Sequence, residues 1–153
     1  MFHVKQSANY ELTCGRIRLS RDGIWFHDDV EITHPRTVEL FDRSIRRLGD
    51  GYILEVGDET CAIIVEDAPF IVRKVVRDGD KLSLELSSRE TVELDVSTIA
   101  VGDDNVMYAL VGETKDRARF SRPAYYQLME FLDQDEDEKF YLKLGESRVY
   151  LPL

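Results

Sequence analysis

Two stretches of this chain open and close alike, and that repetition constrains the fold more than any single residue does. Glu31-Ile32-Thr33-His34-Pro35 opens a helical stretch that leads into Tyr52-Ile53-Leu54-Glu55-Val56-Gly57-Asp58. Arg119-Phe120-Ser121-Arg122-Pro123 opens another, leading into Phe140-Tyr141-Leu142-Lys143-Leu144-Gly145-Glu146. The two prolines lie 88 residues apart, and so do the two glycines, so neither copy carries an insertion relative to the other. Identity is limited to Pro35/Pro123, Leu40/Leu128, Leu54/Leu142 and Gly57/Gly145. The order and spacing of the element signals carry the repeat.

Each copy reads as a hairpin, a Thr or Ser cap, a proline, a helix and a further hairpin. Arg16–Leu19 alternates as a strand, and Ile24-Trp25-Phe26 and Val30-Glu31-Ile32 flank a polar turn, a hairpin signature. Thr33 is placed to cap a helix over residues 35–48, with Pro35 in a first turn where its missing amide costs nothing. Val38, Phe41, Ile45 and Leu48 recur at helical spacing along it. Tyr52–Val56 and Cys61–Val65 read as strands, the latter a continuous apolar run expected to be buried on both faces. A meander follows, from Val72 through Leu82–Leu86 and Thr91–Val96 to Val106–Phe120. Ser121 caps the second helix, whose stripe is Tyr125, Leu128, Met129 and Leu132, and the acidic run 133–138 ends it. The fold class is therefore α+β, mostly β, with two related lobes joined by an antiparallel meander. Residues 1–15 read as a loose leader, 16–70 as the first lobe and 71–153 as the second, packed as one compact unit.

A chain of 153 residues buries ~70% of its unfolded surface without metal or disulfide help. Twenty basic against thirty acidic residues give a formal charge of −10, which argues against broad contact with nucleic acid or an anionic membrane. Cys14 and Cys61 lie far apart without a CxxC pattern, and read as two small buried hydrophobes in a reducing compartment. No run approaches the ~18 apolar residues of a membrane span, and none at the start suits a signal peptide. The expected location is the cytoplasm.

The string Ile64-Val65-Glu66-Asp67-Ala68-Pro69-Phe70, after a helix and a Gly-Tyr strand, resembles the bacterial domain-of-unknown-function family numbered 1285. The Trp25-Phe26 hairpin is similar to that family's opening, and Arg119 to Leu128 to its closing helix motif. The resemblance runs from about residue 16 to the end. It departs at Val56–Thr60, where the family carries a Thr-Pro-Val-Glu type turn, and at Leu144–Ser147, where it carries Gly-Gly. What the resemblance implies is a fold of two β-rich lobes, each with a helix, and a regulatory or signalling role. It implies no activity and no ligand.

Candidate chemistry gathers at two places. Helix starts expose unpaired amides and a partial positive charge, which suits phosphate or carboxylate groups. One start carries His34 and Arg36, the other Arg122, Tyr125 and Tyr126, and a cleft shared between them would hold a small anionic ligand. The plainer reading pairs these arginines with the protein's own carboxylates. Glu66 and Asp67 form the second place, a corner before Pro69 that is either structural or part of a ligand site. His27 beside Asp28, Asp29 and Glu31 is a polar turn rather than a metal site, and no metal or cofactor is expected. There is no Ser/His/Asp order, glycine-rich phosphate loop or nucleophile elbow. The expectation is a non-enzymatic module, monomeric or homodimeric, that binds a small anionic ligand or a partner protein. The alternative is an enzyme using Glu66, Asp67, Arg122 and Tyr126 in a cleft between lobes.

Overall fold

Alternation of apolar and polar residues, cut by glycine-bearing turns, makes most of this chain strand. The computed structural model describes residues 14–153, and the chain is α+β, mostly β. Of the leader expected over residues 1–15, positions 1–13 lie outside the described residues. The chain divides into two compact units, the first ending at Pro69 and the second spanning Phe70–Leu153.

In the first unit β1 (Ile17–Leu19), β2 (Trp25–His27) and β3 (Val30–Glu31) precede α1 (Pro35–Arg43). β4 (Ile45–Leu48), β5 (Gly51–Val56) and β6 (Glu59–Val65) follow it. The six strands make one sheet in the order β3-β2-β1-β6-β5-β4, antiparallel except where β1 runs parallel to β6. Asp28 and Asp29 turn β2 into β3 with φ of 49° and 65°, the paired positive values that suit a tight hairpin. Beneath α1 the core gathers Ile17, Leu19, Trp25, Phe41, Ile45, Leu54 and Cys61. Trp25 and Phe41 meet edge to face, their ring centroids 5.3 Å apart.

Four expectations for this unit need correction. The helix stops at Arg43 rather than near 48, because Ser44 closes it: its amide donates to the Phe41 carbonyl and its hydroxyl to that of Leu40. Ile45 and Leu48 then pair with Leu54 and Gly51 in β4, since a three-residue apolar spacing followed by Gly49 serves a hairpin as well as a helix. The cap residue is His34, which makes no side-chain cap bond, rather than Thr33. β6 is not buried on both faces, for Ile64 is 44% exposed while Cys61 is fully buried. Cys14 and Cys61 are not separate buried thiols. Parallel pairing of β1 with β6 brings their Cα atoms to 5.9 Å, and the two are joined as a disulfide.

The second unit begins with β7 (Phe70–Asp78), β8 (Lys81–Leu86) and β9 (Thr91–Glu93). After a turn of 3-10 helix at Val96–Thr98 come β10 (Ala100–Val101), a second such turn at Asp103–Asn105, β11 (Met107–Val111) and β12 (Asp116–Phe120). These strands form a sheet in the order β10-β11-β12-β7-β8-β9, with β12 parallel to β7. α2 (Arg122–Glu130) leads into β13 (Leu132–Gln134), β14 (Phe140–Leu144) and β15 (Ser147–Tyr150), a separate three-stranded sheet. Val72, Leu84, Ala109, Ala118, Ala124, Leu128 and Leu142 share this unit's core. Leu132, expected as the last residue of the helical stripe, begins β13, and the acidic run therefore starts in a strand.

The repeat is visible in the hydrogen-bonding register. The pairs Ile53↔Ala62 and Glu55↔Thr60 recur 88 residues on as Tyr141↔Tyr150 and Lys143↔Arg148. Ile45↔Leu54 recurs as Leu132↔Leu142, so the strand after the second helix starts one residue early. The same slip puts Pro35 first in α1 and Pro123 second in α2. The sheets around the copies do not repeat as closely: the closing strand β6 joins the six-stranded sheet of its unit, whereas β15 stays in a sheet of three.

Candidate functional site

A cavity of about 360 Å³ lies in the second unit, between the Gly102–Met107 segment and the start of α2. Asp104, Asn105, Arg119, Arg122, Tyr125 and Tyr126 supply its polar and aromatic lining, and Val106, Met107 and Phe120 the rest. The local sequence explains the shape. The Ser121 hydroxyl accepts the Ala124 amide at 3.3 Å and starts the helix abruptly after β12. Arg122 thereby occupies the first helical position, and Tyr125 and Tyr126 follow one turn later. Their rings meet at 69° with centroids 5.4 Å apart, and Tyr126 is 59% exposed. On the opposite lip Asp104 and Asn105 hold φ of 61° and 59°, the left-handed region their short side chains tolerate. Gly102 begins this lip because a Cβ there would come within 3.0 Å of the Tyr108 ring.

Both signs of charge line the cavity, the Asp104 carboxylate on one lip and Arg119 and Arg122 on the other. The first turn of α2 contributes the partial positive charge of unpaired amides, and Arg119 and Arg122 add two guanidiniums. Arg122 has no ion-pair partner among the described residues, and neither has Arg36. Beside the cations, Tyr125, Tyr126 and Phe120 give an apolar wall on which a ligand body can lie.

The remaining predicted residues sit in the first unit. His34 and Arg36 are both exposed at the start of α1. Glu66 is engaged: its carboxylate accepts the Arg18 guanidinium at 3.0 Å and the Arg21 amide at 3.2 Å. Asp67 is half-buried next to it, ahead of the buried Ala68 and Pro69. Arg18 also lies over the Phe26 ring at 4.2 Å, so Glu66 ties β1 to the corner that ends β6. Of the seven residues, Arg122, Tyr125 and Tyr126 come together in one cavity. Sequence reasoning missed Arg119, Asp104 and Asn105; the only signal was the loop-forming run Gly102–Asn105 and an arginine just ahead of the cap. His27 directs Nε2 to the Cys14 carbonyl at 2.9 Å, and no group of three metal-ligating side chains occurs among the described residues. No helix of the described residues is long and apolar enough to cross a membrane.

Comparison with known proteins agrees with the fold. Residues 10–68 match the N-terminal domain of DUF1285, a domain of unknown function. The chain is similar in structure to a DUF1285 family protein from Silicibacter pomeroyi, at 23% identity and a TM-score of 0.67, over 97% of this chain and 90% of the other. It is also similar to a DUF1285 family protein from Shewanella baltica, at 21% identity and a TM-score of 0.60, over 76% of this chain and 91% of the other. At these identities the likeness establishes the fold. No curated protein sequence matches the chain.

Proposed function

We propose that this chain, whose residues 10–68 match the N-terminal domain of DUF1285, is a non-enzymatic regulatory or signalling module binding a small anionic ligand in the second-unit cavity. The observation that carries this reading is Arg122: a cation without an ion-pair partner among the described residues, at the first position of a helix, on the wall of a cavity lined by two tyrosines. An anionic group would sit between Arg122 and Arg119, and its body against Tyr125 and Tyr126. The reading keeps the protein in the cytoplasm, as a monomer or homodimer, where cellular thiols would open the Cys14–Cys61 disulfide. Alkylating thiols in intact cells before purification checks this, and a disulfide recovered from them would overturn it.

The experiment for the ligand is a thermal-shift series with phosphate, sugar phosphates, nucleotides and small carboxylates. A ligand at a hundred times its Kd stabilises by ~2.7 kcal/mol, a rise of several degrees. The rise is expected to vanish in Arg122→Glu. A flat series, or a rise that Arg122→Glu leaves intact, would sink the reading.

A further inference from the structure

β4 and β13 occupy corresponding places in the two repeats, each following its helix, and each is an edge strand of its sheet. Their charges are opposite. The β4 edge and the residue before it carry exposed Arg43, Arg46 and Arg47, with Leu48 59% exposed beside them, in a chain of net charge −10. Arg46 directs its guanidinium to the carbonyls of Arg43 and Ile45, at 3.2 and 2.8 Å, and Arg47 lies over the Tyr52 ring. Arg43 and Arg46 have no carboxylate partner among the described residues. β13 carries exposed Asp133, followed by exposed Glu136, Asp137 and Glu138.

An edge strand presents backbone donors and acceptors on one side, and like charge along it keeps identical edges apart. Here each edge repels its own kind and attracts the other. We propose that copies of this chain associate by adding β13 of one molecule to the β4 edge of another. The occupant is a second copy because the complementary acidic strand is in this chain itself. The contact is a few residues on each side, well below the roughly 1,200 Å² of a stable interface, so the association is weak and reversible. The overall charge of −10 opposes it, but at physiological salt the Debye length is about 8 Å, which screens distant repulsion more than contact pairs.

Sedimentation equilibrium of the full chain tests this with two charge-reversed variants, Arg46→Glu/Arg47→Glu and Asp133→Lys/Glu136→Lys. Wild type should associate with rising concentration at 150 mM salt, with a binding constant about tenfold weaker in 1 M salt. Each variant alone should stay monomeric, because neither keeps one acidic and one basic edge. Their equimolar mixture should associate again, since the unchanged acidic β13 of the first then meets the unchanged basic β4 of the second. A wild type that is monomeric at high concentration, a variant that still associates alone, or a mixture that fails to associate would each overturn the proposal. If a variant does not fold, the free peptide of residues 131–139 takes its place. It should dissociate wild-type assemblies, and assemblies indifferent to it would overturn the proposal equally.

Discussion

Trp25 donates its indole N–H to the buried carboxyl of Asp42 at 2.9 Å, a bond that joins α1 to the first sheet. Trp25 is 1% exposed, so the N–H has no recourse to water. Asp42 is adjacent to Phe41, whose ring packs on the same indole, so polar and apolar anchors act at one turn of the helix. Removing the acceptor leaves a buried donor unsatisfied, which costs roughly 1–3 kcal/mol. Asp42→Ala should therefore lower Tm by several degrees, and Asp42→Asn, which keeps an acceptor oxygen, should lose less. Equal losses in a thermal melt would mean that packing, rather than this bond, holds α1 in place.

Gln127 plays a comparable part in the second unit. β12 ends at Phe120 opposite Val72, so beyond that point β7 loses its parallel neighbour. The Val75 amide is taken instead by the Gln127 side chain of α2 at 2.8 Å, next to a register shift between Val72 and Lys74. Gln127→Ala is expected to destabilise by about 1–2 kcal/mol. It should also speed hydrogen exchange at the Val75 amide more than at Val72, whose carbonyl accepts from Ser121. Unchanged protection at Val75 would remove the assignment.

How far the sequence reached follows from the kind of signal each element offers. Ser121 and Pro123 fixed the start of α2 because capping is local, and the hairpin around Gly145 repeated that around Gly57 because a two-residue turn sets its own register. The end of α1 was not legible: Ile45 and Leu48 suit a helix stripe and a strand alike, and pairing with β5 decided between them. Cys14 and Cys61 met through a parallel pairing 47 residues apart, a contact with no local mark. That Arg122, Tyr125 and Tyr126 lie close together was legible because they follow a cap. Asp104, Asn105 and Arg119 were not, because a loop and a neighbouring strand bring them to the same cavity.

The Cys14–Cys61 bond closes a long loop around most of the first unit. On a chain-entropy argument a bond across this separation contributes about 4 kcal/mol, by restricting the unfolded chain. Oxidised protein should weigh about 2 Da less than its reduced form, since closing the bond removes two hydrogens. Reductant should lower Tm, and Cys61→Ala, which also removes a fully buried side chain, should lower it at least as far. A Tm indifferent to reductant, in protein shown by mass to have been oxidised, would deny the bond a stabilising role.

Asp135 organises the acidic turn between β13 and β14. Its carboxylate accepts the amides of Asp137 and Lys139, both at 2.9 Å, while its own amide donates to the Lys139 carbonyl. The bond from Lys139 is the main cause that holds its pKa below the ordinary 3.8, with Tyr150 and Asp137 adding to it. A carboxyl depressed in the folded state stabilises above its unfolded pKa, and that contribution is lost as pH falls through the folded value. The window is therefore on the acid side, from about pH 4 downward. The carboxyl signal of Asp135 followed by NMR should titrate below 3.8. In Asp135→Asn the fall of Tm with acid should be shallower than in wild type, because one group that binds a proton on unfolding has gone. The side chain is only half-buried, so the change in slope is small, and it is read against Asp133→Asn, whose carboxyl lies outside the turn network. Identical slopes in the two variants would mean that the turn does not depend on the charge of Asp135.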